Sequence, residues 1–334
     1  MRLSDFDYHL PPGLIAQHPS EPRDAARLMI LDRSAGTIRH DIFRNIADHL
    51  PGPCLFVINN SRVVPVRLLG VKSRNGSSVE ILLLKKIDAR HFEAMLKPLR
   101  RIREGEPLEF PGGIRACLVD REKRIVRFEK AGVLKVLERF GHIPLPPYIR
   151  RPDEERDRED YQTVYAKKSG SVASPTAGLH FTDGLLKGLR RKGHAFSEVT
   201  LHVNYGTFKP VETEDVTRHP MHTETYEIPS AALRSITETG KKGRKVLAVG
   251  TTSCRTIESY ARTKSVKRDT ALFLYPGAAF ALTDVLLTNF HLPRTTLLML
   301  VSAFAGTDLV RRAYAEAVRE RYRFFSYGDA MLIV

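Results

Sequence analysis

Two short segments in the second half of the chain combine small residues and histidines in a way that could support chemistry. SPTAGLHF (174–181) places His180 after a proline and three small residues, and LTNFHLP (287–293) places His291 just after Asn289 and a phenylalanine. Histidine titrates near neutral pH and can therefore transfer protons. Small residues let a ligand approach the backbone closely. Each histidine taken alone is more typical of a packed, hydrogen-bonded structural residue than of a catalyst.

VGTTSCRTIES (249–259) has the pattern of a buried strand that ends at a glycine and leads into a helix. Thr251 and Thr252 follow Gly250, and Arg255 lies one turn further on. The backbone N–H groups at such a helix start attract an anion or another hydrogen-bond acceptor. Ordinary capping of the helix explains the same residues equally well.

Two other polar features have competing explanations. Asp329 follows Tyr-Gly and precedes an apolar stretch, where a carboxylate either caps a turn or faces a ligand. His219 and His222 are three residues apart, a spacing compatible with a metal ion. No carboxylate or cysteine pattern completes a metal site, so we expect no bound metal.

The elements around these segments follow the order strand, polar turn, helix. Apolar runs at 54–60 and 244–253 read as strands, and helical patterns accompany them at 182–193, 229–243, 295–306 and 307–323. Thr182 is the expected N-cap of the first of these helices. This order is typical of an α/β domain, in which ligands bind at the carboxyl ends of the strands. Such a fold would bring His180 and His291 to one edge of a sheet.

The first half of the chain has a different pattern. Short alternating stretches separated by Gly, Pro and Asn recur between residues 66 and 140, which favours a small antiparallel sheet or barrel. We therefore predict a mixed α/β main domain of residues 1–65 plus 150–334. An inserted, β-barrel-like domain is predicted at residues 66–149.

The formal net charge of +15 makes a polyanion a candidate partner. Basic residues crowd residues 97–106, 120–130 and 150–160, although charge runs are often only a solvated face. Lys97, Arg100, Arg101 and Arg103 alternate with apolar residues, which predicts a strand that presents cations to phosphates. No apolar run reaches the length of a membrane span, and no signal-peptide pattern begins the chain. Three widely spaced cysteines indicate a reducing cytoplasm.

Ten motifs, in order, carry a resemblance over nearly the whole chain. They are NNSRVVPVRLLG, PLPPYI, YQTVYA, SPTAGLHF, LHVNYGTFKPV, HPMHTETY, VGTTSCRTIES, LLTNFHLP, TLLMLVSAFAG and YRFFSYGDAM. This set resembles the S-adenosylmethionine:tRNA ribosyltransferase-isomerase family of the queuosine pathway. The chain departs from the family pattern at Asn204, where a glycine is expected. The change could alter a loop that lies near the ligand, since asparagine tolerates the left-handed backbone better than other non-glycine residues.

The resemblance implies an enzyme that moves the ribosyl unit of S-adenosylmethionine onto 7-aminomethyl-7-deazaguanine at the tRNA wobble position. Epoxyqueuosine forms while adenine and methionine leave. S-adenosylmethionine is then a consumed substrate, no further cofactor is implied, and we expect a cytoplasmic monomer. The alternative is a non-catalytic RNA-binding or ribosome-assembly protein, which would explain the charge but not the histidines among small residues.

This chemistry needs proton-transfer groups, a grip on a carboxylate and close backbone contacts. We assign the catalytic roles to His180, His291 and Asp329. Arg255 is assigned to the methionine carboxylate. The full set of predicted substrate contacts is Thr176, Gly178, His202, Thr207, Thr251, Thr252, Arg255 and Asn289, and the predicted tRNA contacts are Lys97, Arg100, Arg101 and Arg103.

Overall fold

The structure is a computed structural model that describes residues 1–208 and 211–334, with only the backbone described at residues 207 and 208. Within this part the chain divides into two compact units. The larger unit contains residues 1–62, 147–151 and 159–334, and the smaller unit contains residues 63–146 and 152–158.

The strands, in chain order, are β1 Arg27–Asp32, β2 Thr37–Ile42, β3 Leu55–Asn59, β4 Ser61–Val63, β5 Arg67–Lys72, β6 Ser78–Lys86, β7 His91–Lys97, β8 Pro107–Phe110, β9 Ile114–Asp120, β10 Ile125–Phe128, β11 Lys168–Ser171, β12 Ala195–Leu201, β13 Glu224–Glu227, β14 Val246–Val249, β15 Lys267–Thr270, β16 Val285–Asn289 and β17 Ala330–Ile333. The α-helices are α1 Val133–Phe140, α2 Asp157–Asp160, α3 Asp183–Arg191, α4 Ser230–Lys241, α5 Gly250–Thr263, α6 Thr296–Ala305 and α7 Thr307–Arg319.

The larger unit contains a nine-stranded sheet in the order β15-β13-β12-β3-β14-β16-β17-β1-β2. Its four central strands, β12, β3, β14 and β16, run parallel, so their carboxyl ends meet at one edge. β17 is antiparallel to β16 and begins at that same edge, since Ala330 pairs with Asn289. The chain leaves β3 toward β12 but leaves β14 toward β16, which makes the gap between β3 and β14 a topological switch point. Ligands of open α/β sheets bind at such points.

Both faces of this sheet are covered. Leu55 and Val57 of β3 belong to a hydrophobic cluster that includes residues of α4, α5, α6 and α7. Phe56 and Ile58 point the other way, into a cluster that includes α3. Strands buried on both faces explain the continuous apolar runs in the sequence. The prediction of a mixed α/β fold is confirmed.

The helix starts follow the sequence signals. Thr182 is the N-cap of α3, and its hydroxyl accepts the N–H of Leu185 at 3.1 Å. The apolar run at 295–306 is α6, which is largely buried and is capped by the side chain of Thr295. No helix among the described residues is long and apolar enough to cross a membrane.

The smaller unit contains a closed antiparallel sheet of six strands in the order β10-β7-β6-β5-β8-β9. Five of these strands coincide with alternating stretches in the sequence, whereas β8 has only four residues and begins with a proline. The strand predicted across Lys97 to Arg103 is wrong. Lys97 ends β7, and Leu99–Arg101 forms a 3-10 turn after Pro98, because proline cannot supply the N–H that would continue the ladder.

Candidate active site

A cavity lies at the carboxyl edge of the parallel strands. Its empty volume is about 680 Å³, including space open to solvent, which is in the usual range of ligand sites. Four segments form most of it: the loop after β11, the β14–α5 junction, the end of β16 and the turn before β17. The lining residues are Tyr148, 173–177, Val203, 250–252, 288–292, Thr295, Leu297, Phe325 and Ser326.

The β14–α5 junction presents a helix start to the cavity. Gly250 has a φ of +84°, a conformation that favours glycine, and α5 continues from it for 14 residues. Thr251 and Thr252 lie in the first turn and line the cavity, as predicted. The Thr252 hydroxyl is buried and has no hydrogen-bond partner among the described residues, so it is available to a ligand.

The loop of residues 174–181 contributes hydroxyls rather than glycine N–H groups. Ser174 and Thr176 line the cavity, and the buried Ser174 hydroxyl has no partner among the described residues. Gly178 does not line it. Its N–H donates to the carbonyl oxygen of Pro175 at 2.9 Å, and a Cβ there would lie 2.0 Å from the Tyr165 hydroxyl. In this structure the glycine makes room for Tyr165, and the ligand contact expected for Gly178 stays a prediction.

His180 lies behind the cavity wall. Asn289 Nδ2 donates to His180 Nε2 at 3.0 Å, and the Thr176 hydroxyl donates to Asn289 Oδ1 at 3.0 Å. Burial, together with the positive charges of Arg323 and Arg23, lowers the pKa of His180 from 6.5 to about 3. His180 is therefore a neutral acceptor that fixes Asn289, and Asn289 and Thr176 face the cavity.

His291 lies in the cavity wall itself. Its Nε2 is 2.8 Å from the Thr288 hydroxyl, and burial lowers its pKa from 6.5 to about 3. The backbone of His291 is fixed on both sides, since its carbonyl oxygen accepts the Tyr8 hydroxyl at 2.5 Å and its N–H donates to the Tyr314 hydroxyl at 3.0 Å. Burial therefore keeps the His291 ring neutral near pH 7, and the same shift makes it a weaker base than a solvent-exposed histidine.

The other predicted residues lie elsewhere. Asp329 does not line the cavity, because its two carboxylate oxygens accept the backbone N–H groups of Arg27 at 3.0 Å and Arg323 at 2.7 Å. Burial raises the pKa of Asp329 while these donors oppose the shift. His202 is half-buried against Gly170 and does not line the cavity either. The side chain of Thr207 lies outside the described residues.

Arg255 lines a second cavity, of about 480 Å³ including open space. Its Nη1 pairs with Glu224, and its Nε donates to the carbonyl oxygen of Leu272 at 3.1 Å. Asn204 lies nearby, and its N–H donates to Glu224 Oε1 at 3.1 Å. Its φ is not positive. The second cavity is lined by Gly206, His219, Met221, His222, Glu224, Arg255, Leu272, Phe273, Leu274, Thr296, Leu297 and Leu300.

The first cavity is uncharged and mainly apolar, with several hydroxyl and amide groups in its wall. No Asp, Glu, Lys or Arg is among its described lining residues, whereas Tyr148 and Phe325 supply aromatic faces with ring centroids 4.6 Å apart. No group of three or more His, Cys, Asp or Glu among the described residues is placed to hold a metal ion. Tyr148, Thr288 and Ser326 line the cavity but were not predicted as site residues, although each belongs to one of the ten motifs. Their hydroxyls at motif positions were the available signal.

The fold and the cavity define an α/β protein with an uncharged, partly aromatic cavity at the carboxyl edge of its central parallel strands, where ligands of this fold class bind. The family described as "Queuosine biosynthesis protein" matches residues 3–333. The chain belongs to this family, which confirms the resemblance seen in its motifs.

Named relatives match along their whole length. A protein of a Sulfurihydrogenibium species is 50% identical and one of Symbiobacterium thermophilum is 51% identical, each over 100% of both chains. Both are named S-adenosylmethionine:tRNA ribosyltransferase-isomerase. The crystal structure of S-adenosylmethionine tRNA ribosyltransferase from Thermotoga maritima matches 99% of this chain and 100% of that chain, with 39% identity and a TM-score of 0.58.

Proposed function

We propose that the protein transfers and isomerises the ribosyl unit of S-adenosylmethionine onto 7-aminomethyl-7-deazaguanine at the tRNA wobble position. The products are epoxyqueuosine in tRNA, adenine and methionine. Membership of the family supports this reaction. The observation that carries the proposal is the uncharged cavity with aromatic faces and unpartnered hydroxyls, since a nucleoside needs stacking surfaces and hydrogen bonds but no cation.

The cavity residues suit the proton transfers of this reaction. The sulfonium acidifies the 5′ carbon of the ribose, so a base must remove a proton there. We assign this role to His291, whose neutral ring lies in the cavity wall. The start of α5 and the hydroxyls of Ser174 and Thr252 would stabilise negative charge that develops on the departing adenine. S-adenosylmethionine is the substrate in this scheme, and no step needs a cofactor.

His180 acts in this scheme through Asn289, and Asp329 acts by anchoring the turn before β17. Both are therefore positioning residues in the proposed site. Thr176, Thr251 and Asn289 are the proposed substrate contacts.

We infer that the smaller unit is an inserted, barrel-like domain that binds tRNA. The side chains of Lys97, Arg100, Arg101 and Arg103 are exposed, and Ile102 between them is buried in that unit and anchors the segment. Long cations on a fixed backbone suit phosphate contacts. With tRNA as its substrate the protein would work in the cytoplasm, and we expect it to act as a monomer.

The test is incubation with S-adenosylmethionine and tRNA that carries the aminomethyl-deazaguanine base, followed by mass spectrometry of nucleosides and small molecules. We expect epoxyqueuosine, adenine and methionine in equal amounts. The matched control is the same tRNA with guanine at the wobble position, which should give none of them. Release of S-adenosylhomocysteine would instead indicate a methyltransferase and contradict the proposal.

A further inference from the structure

The second cavity contains a buried guanidinium that is only partly satisfied. Arg255 is 6% exposed, and its Nη1 and Nε are bonded to Glu224 and Leu272. Its Nη2 is buried without a hydrogen-bond partner among the described residues. A buried charged donor without a partner costs free energy, so this nitrogen is suited to an acceptor that arrives with a ligand.

Glu224 holds the Arg255 side chain in one orientation. Its carboxylate is bonded to Arg255 Nη1 on one oxygen and to the N–H of Asn204 on the other, at 3.1 Å. The Arg255–Glu224 pair is nearly neutral overall. Because the guanidinium is planar, the bond from Nη1 to Glu224 also fixes the direction in which Nη2 points. A carboxylate is the acceptor that pairs best with such a donor.

The rest of the wall of the second cavity is mainly apolar. It contains Met221, Leu272, Phe273, Leu274, Leu297 and Leu300. A cationic donor beside apolar side chains suits the α-carboxylate and the methylene carbons of the methionyl group. Glu224, His219 and His222 make up most of the remaining polar wall.

The two cavities are neighbours on the same helices. Leu297 of α6 lines both of them. On α5, Thr252 lines the first cavity and Arg255 lines the second, three residues or about 4.5 Å further along the helix axis. A molecule that passes Leu297 would place a nucleoside end in one cavity and an amino-acid end in the other.

We propose that the second cavity is the subsite for the amino-acid end of S-adenosylmethionine. The methionyl carboxylate accepts a hydrogen bond from Arg255 Nη2, the carbon chain lies against Leu297, and the adenosine occupies the first cavity. This inference rests on the proposed function. The contact between Arg255 and the substrate carboxylate then lies in a different cavity from the one that holds the nucleoside.

The experiment measures equilibrium binding of S-adenosylmethionine, its decarboxylated analogue and methylthioadenosine, with unmodified tRNA present so that no turnover occurs. The wild-type protein should prefer S-adenosylmethionine over the decarboxylated analogue by about 10- to 100-fold, the range for a hydrogen bond to a charged group. Arg255→Lys should lose most of this preference and leave methylthioadenosine binding unchanged. The matched control is Arg262→Lys, on the same helix and paired with Glu258 at 3.0 Å but outside both cavities. It should keep the preference.

A second variant guards against a folding defect. Arg255→Met combined with Glu224→Gln removes both buried charges together, and it should still bind methylthioadenosine while showing no preference for the carboxylate. If the wild-type protein binds S-adenosylmethionine and its decarboxylated analogue equally well and still releases adenine, the proposed subsite is wrong but the proposed function stands. Absence of any S-adenosylmethionine binding and of adenine release overturns the proposed function and the subsite with it.

Discussion

His180 and His291 differ in access to the cavity. His291 lines it, whereas His180 reaches it only through Asn289. The two motifs look alike in sequence, because in each a histidine follows small or polar residues and stands next to a phenylalanine. The difference arises because a 3-10 turn at Thr176–Gly178 places His180 against Phe43, with ring centroids 5.0 Å apart. The sequence could therefore identify both histidines but not which one faces a ligand.

The buried histidines should make the protein sensitive to acid. The pKa of each falls from 6.5 to about 3 on folding, so between these pH values only the unfolded chain binds the proton. The free energy of unfolding should then decrease as the pH falls from 6.5 toward 3, by about 1.4 kcal/mol per pH unit for each histidine. Above pH 6.5 the two rings contribute no pH dependence.

Urea unfolding of His180→Gln between pH 7 and pH 4.5 measures this contribution. The slope of stability against pH should be shallower than in the wild-type protein by about 1.4 kcal/mol per pH unit. His18→Gln, at an exposed position, is the control and should keep the wild-type slope. If His180→Gln also keeps it, His180 is accessible to protons in the folded state.

At the scale of elements, the sequence predicted the buried strands and the capped helix but not the strands at the edges of the sheet. Buried strands β3 and β14 and the capped helix α3 have strong local signals. The edge strands β2 and β15 are largely exposed and polar, so they lack the alternation that indicates a strand. Their pairing depends on contacts distant in sequence, which a local pattern does not contain.

The loop of residues 174–181 depends on one close contact. An alanine at Gly178 would place its Cβ 2.0 Å from the Tyr165 hydroxyl and 2.8 Å from Thr163 Cγ2. Gly178→Ala should therefore destabilise the fold by about 1–3 kcal/mol, the range for overpacking a core. Adding Tyr165→Phe removes the hydroxyl, which has no partner among the described residues, and should recover part of the loss.

Chemical denaturation of the single and double variants checks this coupling. Gly188→Ala is the control, because it lies inside α3 with no atom within 4 Å of the added Cβ. It should stabilise the protein by up to about 1 kcal/mol through helix propensity. A Gly178→Ala variant as stable as the wild-type protein would mean that the glycine is not needed for packing.

At the scale of the whole molecule, two basic segments that are separate in sequence meet in the smaller unit. Arg121, in the turn between β9 and β10, donates to the carbonyl oxygen of Leu99 at 3.0 Å and to that of Ile102. This contact brings the turn beside the exposed Arg100, Arg101 and Arg103. The sequence showed both charge runs, but their meeting depends on the closure of the six-stranded sheet and could not be read from either run.

Arg100, Arg101, Arg103 and Arg121 form one basic surface, and tRNA binding to this surface should weaken as the salt concentration rises. Each phosphate contact releases counterions, so affinity should fall by roughly 0.7 to 0.9 log units per log unit of salt for each contact. Replacing Arg100, Arg101 and Arg103 together with glutamine should flatten that slope and raise KM for tRNA. The KM for S-adenosylmethionine should stay unchanged, because all described residues that line its proposed cavities belong to the larger unit. The control replaces the exposed Lys241, Lys242 and Arg244 with glutamine, which removes the same charge from the larger unit. The measurement is tRNA affinity across a salt series for the wild-type protein and both triple variants. If both variants keep the wild-type slope, tRNA binds to another surface. If both flatten the slope equally, net charge rather than this segment controls binding.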